Sequence, residues 1–170
     1  ANKLGYASLA LTDINTTSGC LNYLRIAQQK GFKAVIGIDF RNDIDQLYVG
    51  LARNNKGFQE LNMFLTRFLK EDNIPFPNEP EDYLKNAFII YPYRKKPQRP
   101  LLSNEYIGIR ISDLNKLTFD DTMPPEDKWV SIQTATFRNK YDHNAHRLLR
   151  AIDKNTLYTK VSDADCASYE

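Results

Sequence analysis

The sequence predicts an α/β fold built on a largely parallel sheet. Short apolar runs of strand length alternate with longer segments whose apolar residues recur at helical spacing. The first two predicted strands also end in acidic residues, Asp13 and Asp39, at the position where functional residues gather in parallel α/β folds. A barrel and an open sheet both fit this alternation.

The first half of the chain predicts three strands and two helices. Thr16, Thr17 or Ser18 can cap the first helix, and Gly31 ends it. The predicted strands cover 7–13, 33–39 and 46–52, and the first helix covers 19–30. The second helix carries one apolar stripe, formed by Phe58, Leu61, Leu65 and Phe68 and widened by Phe64 and Leu69.

The second half predicts a loop, three further strands and a last helix. Residues 71–82 are rich in proline and predict the loop. Ser112 can cap a short helical turn, and Asp142 can cap the last helix. The predicted strands cover 87–92, 106–111 and 129–137, and the last helix covers 143–153.

The composition is that of one ordinary folded domain. Hydrophobic residues make up 42% of the 170 residues and charged residues 26%, which suffices for one sizeable core. The net charge of +2 does not indicate general affinity for nucleic acid. No apolar stretch approaches the roughly 20 residues needed to cross a bilayer, so we expect a cytoplasmic protein without a membrane partner. Cys20 and Cys166 are far apart and indicate neither a disulfide framework nor a thiolate metal site.

The acids and histidines permit two interpretations. Asp13 and Asp39 at neighbouring strand ends could hold a divalent cation, and His143 and His146, three residues apart, could form a metal pair. Alternatively, Asp13 accepts hydrogen bonds from the amides of 15–17, Asp39 is a polar strand end, and the histidines lie on a helix surface. The chain has no serine nucleophile elbow, phosphate-binding glycine loop or C-x-x-C pair.

One local segment is basic. "YPYRKKPQRP", residues 91–100, places Arg94, Lys95, Lys96 and Arg99 among tyrosines and prolines. Such a segment either binds a nucleic-acid backbone through charge and stacking or forms a solvated extended loop.

Three segments carry a family resemblance. "LALTDINTTSGCLNYLRIAQQKGFKAVIGIDF" resembles the second and third conserved segments of the polymerase and histidinol phosphatase (PHP) domain, in the version found at the amino terminus of bacterial replicative DNA polymerase III α subunits. "QLYVGLARNNKGFQELNMFLT" is similar to the strand, turn and helix of that domain, and "TFRNKYDHNAHRLLRAIDKNTL" to the stretch where it closes. Together these segments cover somewhat under half of the chain and follow the order found in the family.

The resemblance implies an incomplete, distorted TIM-like β/α barrel, since the complete family domain has about seven β/α units. Residues 1–155 would form a PHP-like fragment without its first strand, and 156–170 a tail or the start of a connection to the polymerase body. A missing first strand would leave an exposed sheet edge, which either reflects truncation or pairs in a homodimer.

The family's metal ligands are largely replaced. Active members have a histidine directly after the T-D of the second segment, where this chain has Ile14, beside a retained Asp13. The acid of the third segment is retained as Asp39, and a later family histidine corresponds to Gln46. Isoleucine cannot ligate a metal, so the resemblance implies that this part of the site has been lost.

The remaining ligand motifs are also absent. The amino-terminal histidine-x-histidine motif has no counterpart, and the late aspartate-x-histidine falls on Thr134 and Thr136. Neutral hydroxyls are poor substitutes for carboxylate and imidazole, and one acid cannot hold a metal cluster. We therefore expect no catalytic residues and no metal cofactor in this chain, whereas the parent polymerase would use Mg²⁺ outside it.

The resemblance implies a DNA replication protein. The parent would be a DNA-directed DNA polymerase III α subunit, and the PHP region a metal-free module that supports the polymerase body and docks a proofreading exonuclease subunit. Two alternatives remain open. One is an active metal-dependent phosphoesterase or proofreading PHP domain, with ligands around Asp13, Asp39 and His143 or His146. The other is a nucleic-acid-binding module that acts through residues 91–100.

Overall fold

The computed structural model describes residues 5–70, 74–80, 83–134, 136–162 and 165–166. The chain divides into two compact units, 1–132 and 133–170. Whether the domain boundary falls at 155, as the sequence predicts, stays a prediction. The first unit contains the strands β1 (Ser8–Ile14), β2 (Lys33–Asn42), β3 (Asp45–Ala52), β4 (Ala87–Pro92), β5 (Glu105–Ile109) and β6 (Trp129–Ser131), and the helices α1 (Cys20–Lys30), α2 (Asn55–Lys70) and α3 (Leu114–Leu117).

The six strands form one curled sheet in the order β1-β2-β3-β4-β5-β6, a half-barrel. This architecture confirms the predicted incomplete barrel-like α/β fold. The sheet is mixed, however, because β3 runs antiparallel to both of its neighbours. A two-residue turn joins β2 to β3, and Asp43 adopts a left-handed conformation there (φ 52°). Such a tight turn reverses the chain, whereas a parallel connection needs a crossover of a dozen or more residues.

The core lies between α2 and the sheet. Leu61, Phe64 and Leu65 of α2 are buried against Phe40 of β2, and the rings of Phe40 and Phe64 meet edge to face with their centroids 5.4 Å apart. The predicted stripe of α2 is therefore confirmed at its centre. Leu69, which was predicted to widen the stripe, is exposed.

Several predicted ends and caps are wrong. The sixth strand is three residues long instead of nine, and a short 3-10 turn, Ile111–Asp113, replaces the end of the fifth. In that turn Asp113, and not Ser112, accepts a hydrogen bond from a backbone amide, that of Arg110 (3.2 Å). The first helix has Gly19 at its N-cap position and no side-chain cap.

The second unit contains helix α4, Lys140–Asp153. Asn139 caps it, because its side chain accepts hydrogen bonds from the amides of Tyr141 and Asp142. Asp142 was the predicted cap, but it lies within the first turn and pairs with Arg138 (2.7 Å). Asparagine is as good an N-cap as aspartate, and of the two candidates, three residues apart, the earlier one caps the helix.

The close approach of α2 to the chain before β4 yields a prediction. A Cβ atom on Gly57 would lie 1.9 Å from the carbonyl oxygen of Asn86. Gly57→Ala should therefore lower the free energy of unfolding by about 2 kcal/mol or more, although alanine favours helix by about 1 kcal/mol over glycine.

Urea unfolding of both proteins would measure this change. Lys56→Ala, one residue earlier and exposed, is the matched control and should shift stability by less than about 0.5 kcal/mol. A Gly57→Ala protein as stable as the wild type would show that the backbone contact is not tight.

Candidate functional site: a buried carboxylate at the edge of the sheet

The register of β1 and β2 separates the two predicted acids. In this parallel pair Ile14 lies beside Asp39, and Asp13 lies beside Ile38. Paired residues share a face of the sheet and successive residues alternate. Asp13 and Asp39 therefore point to opposite faces, whereas Ile14 and Asp39 share one.

Asp39 is buried, and its two carboxylate oxygens are held by neighbouring side chains. Its side chain is 5% exposed. Arg41 donates from Nε and Nη2 to Oδ2, at 3.0 and 2.6 Å. Gln46 donates from Nε2 to Oδ1 at 2.9 Å. The negative charge of Asp39 thus meets a guanidinium and an amide within the chain.

Asn15 fixes the backbone that carries this ion pair. It adopts a left-handed conformation (φ 50°), and its amide donates to the carbonyl oxygen of Asp39 at 3.0 Å. Its side chain accepts from the amide of Arg41 at 2.9 Å and donates to the carbonyl of Arg41 at 2.8 Å. Asn15 therefore bonds to β2 and not to Asp13, in contrast to the predicted capping of Asp13 by residues 15–17.

Sequence reasoning missed both Asn15 and Arg41. A signal for Arg41 was present, because residues two apart on a strand share a face and "DFR" places an arginine two residues after Asp39. Asparagine directly after a strand is also among the few residues that tolerate a left-handed conformation.

Gln46 links Asp39 of β2 to Arg110, the residue that follows β5. Its Oε1 accepts from Nη2 of Arg110 at 2.9 Å. Gln46 and Arg110 line an open cavity of about 410 Å³, together with Arg41 and the turn that follows β4. Three side chains therefore connect the end of β2, the start of β3 and the end of β5.

Asp13 lies at the start of α1. A Cβ atom on Gly19 would lie 2.6 Å from its Oδ2, so glycine leaves room for the carboxylate. Burial raises the pKa of the Cys20 thiol, and the Asp13 carboxylate raises it further. A carboxylate at the amino end of a helix is stabilised by the helix dipole, so the position of Asp13 beside α1 is electrostatically favourable.

The remaining predicted ligand positions belong to the second unit. Thr134 and Thr136 are exposed. The ring of Phe137 lies 5.2 Å from that of His143 and 5.3 Å from that of His146. Burial lowers the pKa of His146, and the charges of Arg150 and His143 lower it further.

The donor set does not fit a catalytic metal cluster. Within the described ranges, no three His, Cys, Asp or Glu side chains lie close enough to share a metal ion. A metal at Asp39 would have to displace the guanidinium of Arg41, and the neighbouring Ile14 offers no ligand atom. We therefore derive no metal chemistry for this site.

The basic segment 91–100 makes contacts within the chain. Lys95 pairs with Asp45 at 2.6 Å, and Lys96 pairs with Asp120. Arg99 donates to both oxygens of Glu105 at 2.8 Å and to Glu79 at 2.5 Å. Of the four predicted nucleic-acid contacts, Arg94 is the one without an ion pair to a described residue.

Glu105 is the second buried carboxylate of the sheet, 2% exposed. Besides Arg99 it accepts from the amide of Leu102 at 2.7 Å and from the Tyr91 hydroxyl at 2.9 Å. Burial alone would raise the pKa of Glu105, but these hydrogen bonds outweigh burial, so its pKa lies below the ordinary value.

Comparison with known proteins identifies the family. The PHP domain profile matches residues 1–164. The chain belongs to the PHP domain family. This membership confirms the resemblance drawn from the second and third segments, whereas the assignment of Ile14 and Gln46 to replaced ligand positions stays a prediction.

Two curated relatives of this PHP domain are DNA polymerases. The error-prone DNA polymerase of Methylococcus capsulatus is 39% identical over 66 residues, which are 39% of this chain and 6% of that protein. The DNA polymerase III subunit alpha of Bacillus subtilis is 37% identical over 67 residues, which are 36% of this chain and 6% of that protein. The matched stretch thus spans a small part of either polymerase. In the described part of the PHP domain, no helix is both long and apolar enough to cross a membrane.

The ion pair of this PHP domain yields a prediction for a double-mutant cycle. Asp39→Asn and Arg41→Met should each lower the free energy of unfolding by about 2–4 kcal/mol, because each removes one partner of an ion pair whose carboxylate is buried and whose guanidinium is partly buried. The loss of unfolding free energy in the double variant should be smaller than the sum of the two single losses by at least about 1 kcal/mol.

Urea unfolding of the four proteins measures the cycle. Arg25→Met on α1 is the control, because Arg25 is exposed and donates a hydrogen bond to the neutral side chain of Asn22. Additive single effects would contradict a direct interaction between Asp39 and Arg41.

The lowered pKa of Glu105 predicts a dependence of stability on pH. A carboxylate whose folded pKa lies below its unfolded value stabilises the protein above the unfolded pKa, about 4.3 for glutamate. That contribution is lost as the pH falls through the folded pKa. Glu105→Gln should therefore cost about 2 kcal/mol at pH 7 and less as the pH falls below about 4.

Urea unfolding at several pH values tests this expectation. Glu126→Gln changes an exposed glutamate and should leave the pH profile unchanged. A difference between wild type and Glu105→Gln that stays constant with pH would contradict the argument.

Proposed function

We propose that this chain is the PHP domain of a DNA polymerase III α-type subunit, in which the domain is a metal-free structural and partner-docking module. Membership of the PHP family and similarity to the two polymerases support the polymerase context. The polymerase activity, its Mg²⁺, its DNA and the remainder of the polymerase chain would lie outside this domain. A proofreading exonuclease subunit is the partner that the resemblance suggests.

The observation that carries the metal-free proposal is the pairing of Asp39 with Arg41. A divalent cation needs several carboxylate or imidazole ligands with free lone pairs. Here the guanidinium supplies the positive charge beside Asp39, and the amide of Gln46 takes the other carboxylate oxygen. A metal ion placed at this carboxylate would be repelled by Arg41.

The alternative of an active phosphoesterase requires Asp13 and Asp39 to share a site. Their side chains lie on opposite faces of the sheet, so one metal ion cannot bind both. A phosphoesterase built on these two acids would need a different register of β1 and β2. This observation favours the metal-free proposal.

Metal analysis tests the proposal. Protein purified without chelator, offered zinc and manganese and then desalted, should retain far less than one equivalent of either metal. The same protein should not hydrolyse bis(p-nitrophenyl) phosphate above the rate without enzyme.

A variant that restores ligands is the matched control. Ile14→His, Arg41→Ala and Gln46→His together remove the guanidinium and place two imidazoles beside Asp39. This triple variant should retain zinc where the wild type does not. Near-stoichiometric metal in the wild type, or metal-dependent hydrolysis, would overturn the proposal.

A further inference from the structure

Arg110 separates two open cavities on the first unit. One, of about 410 Å³, is lined by Arg41, Gln46, Arg94 and Lys95 among others. The other, of about 250 Å³, is lined by apolar residues that include Ile111, Leu114 and Trp129. Arg110 lines both, so a ligand that follows the surface past Arg110 meets first a charged and then an apolar region. We call these two cavities together the Arg110 groove.

The charged half of the groove has a surplus of cations. Arg41 and Lys95 are neutralised by Asp39 and Asp45. Arg94 and Arg110 are exposed, and neither forms an ion pair with a described residue. The side chain of Arg110 donates to Gln46, a neutral acceptor. Asp113 also lines this half, but it is buried and accepts from the backbone amide of Arg110. Two guanidinium groups therefore face solvent without an ion pair, and the four cations of this half outnumber its three carboxylates, Asp39, Asp45 and Asp113.

Exposed aliphatic side chains border the groove. Ile111 is 81% exposed and Leu114 is 53% exposed, both at the apolar half. Ile44, which lines the charged half, is 61% exposed. Contiguous exposed apolar residues beside a cavity are typical of a surface that contacts another protein.

We infer that the Arg110 groove docks an acidic, amphipathic peptide segment of a partner protein. Carboxylates of the segment pair with Arg94 and Arg110, and its apolar side chains cover Ile111 and Leu114. Charge complementarity selects the segment, since arginine forks bind carboxylates in a bidentate manner. This inference rests on the proposed partner-docking function and gives it a location and a partner chemistry.

The aromatic residues of the groove favour a peptide over a single-stranded nucleic acid. Tyr93 and Trp129 are half-buried, and hydrogen bonds hold them to Asp120 (2.7 Å) and to the carbonyl of Pro124 (2.8 Å). Single-stranded nucleic acids bind through bases stacked on accessible rings. The exposed apolar side chains of the groove are aliphatic, and they match the apolar side chains of a peptide.

Selection from a displayed library of random peptides of about twelve residues tests the inference, with the wild-type chain as bait. We expect enrichment of sequences that combine Asp or Glu with large apolar residues. Synthetic copies of the enriched peptides, labelled with fluorescein, are then titrated by fluorescence anisotropy. Their affinity should fall by about tenfold or more for Arg94→Ala/Arg110→Ala and for Ile111→Ser/Leu114→Ser, and raised salt should weaken binding to the wild type.

Lys56→Ala/Lys70→Ala is the matched control, because it removes two exposed positive charges from α2 and should leave the affinity unchanged. Equal unfolding midpoints establish that the variants are folded, as expected for substitutions of exposed side chains. The inference is overturned if no acidic sequences are enriched, or if the enriched peptides bind the groove variants as tightly as the wild type. It is also overturned if labelled oligo-dT binds more tightly than the peptides and loses its binding in Arg94→Ala/Arg110→Ala.

The outcome is separable from that of the metal test. Failure to bind peptides by a chain that retains no metal would remove the groove and leave the metal-free proposal intact. Stoichiometric metal in the wild type would remove the metal-free proposal whatever the peptides do.

Discussion

The ion pair between Asp39 and Arg41 is the interaction on which this edge of the sheet depends. Burying a carboxylate without a partner costs several kcal/mol, and a neighbouring guanidinium offsets that cost. Arg41 supplies this guanidinium from the same strand, next to the register shift between Phe40 and Arg41. Asn15 then holds the backbone of Arg41 through two hydrogen bonds and ties the end of β1 to β2.

The reversal of the chain after β2 explains why Gln46 belongs to the same site. Since β3 is antiparallel, its first residues lie next to the last residues of β2. In a purely parallel sheet the functional side chains would come from strand ends alone. Here Arg110 follows the end of β5, whereas Gln46 stands near the start of β3. The two-residue turn at Asp43 thus places the start of β3 beside the ends of β2 and β5.

The sequence predicted the strands, the long helices and the family, because these depend on apolar periodicity and on a recognisable order of segments. The direction of β3 depends on a short turn, and an aspartate with positive φ is a weak signal for it. The cap of α4 could not be decided, since Asn139 and Asp142 are both good caps. Ile14 was predicted to be a replaced ligand, and the register shows that it lies beside Asp39. The partner of Asp39 was missed because ligand motifs concern acids and histidines, whereas the residue that pairs with Asp39 is an arginine.

An acid at a ligand position is therefore informative only together with its neighbours. Asp39 alone would suggest a residual metal site, but its partners show a carboxylate matched in charge and geometry to a guanidinium. The same arrangement recurs at Glu105, where Arg99 donates to both carboxylate oxygens. A cation that is part of the chain stabilises the fold at every metal concentration, whereas a bound ion does so only while it is present. On the metal-free proposal, Ile14 offers no ligand atom beside Asp39, and Arg41 supplies a positive charge at the same carboxylate.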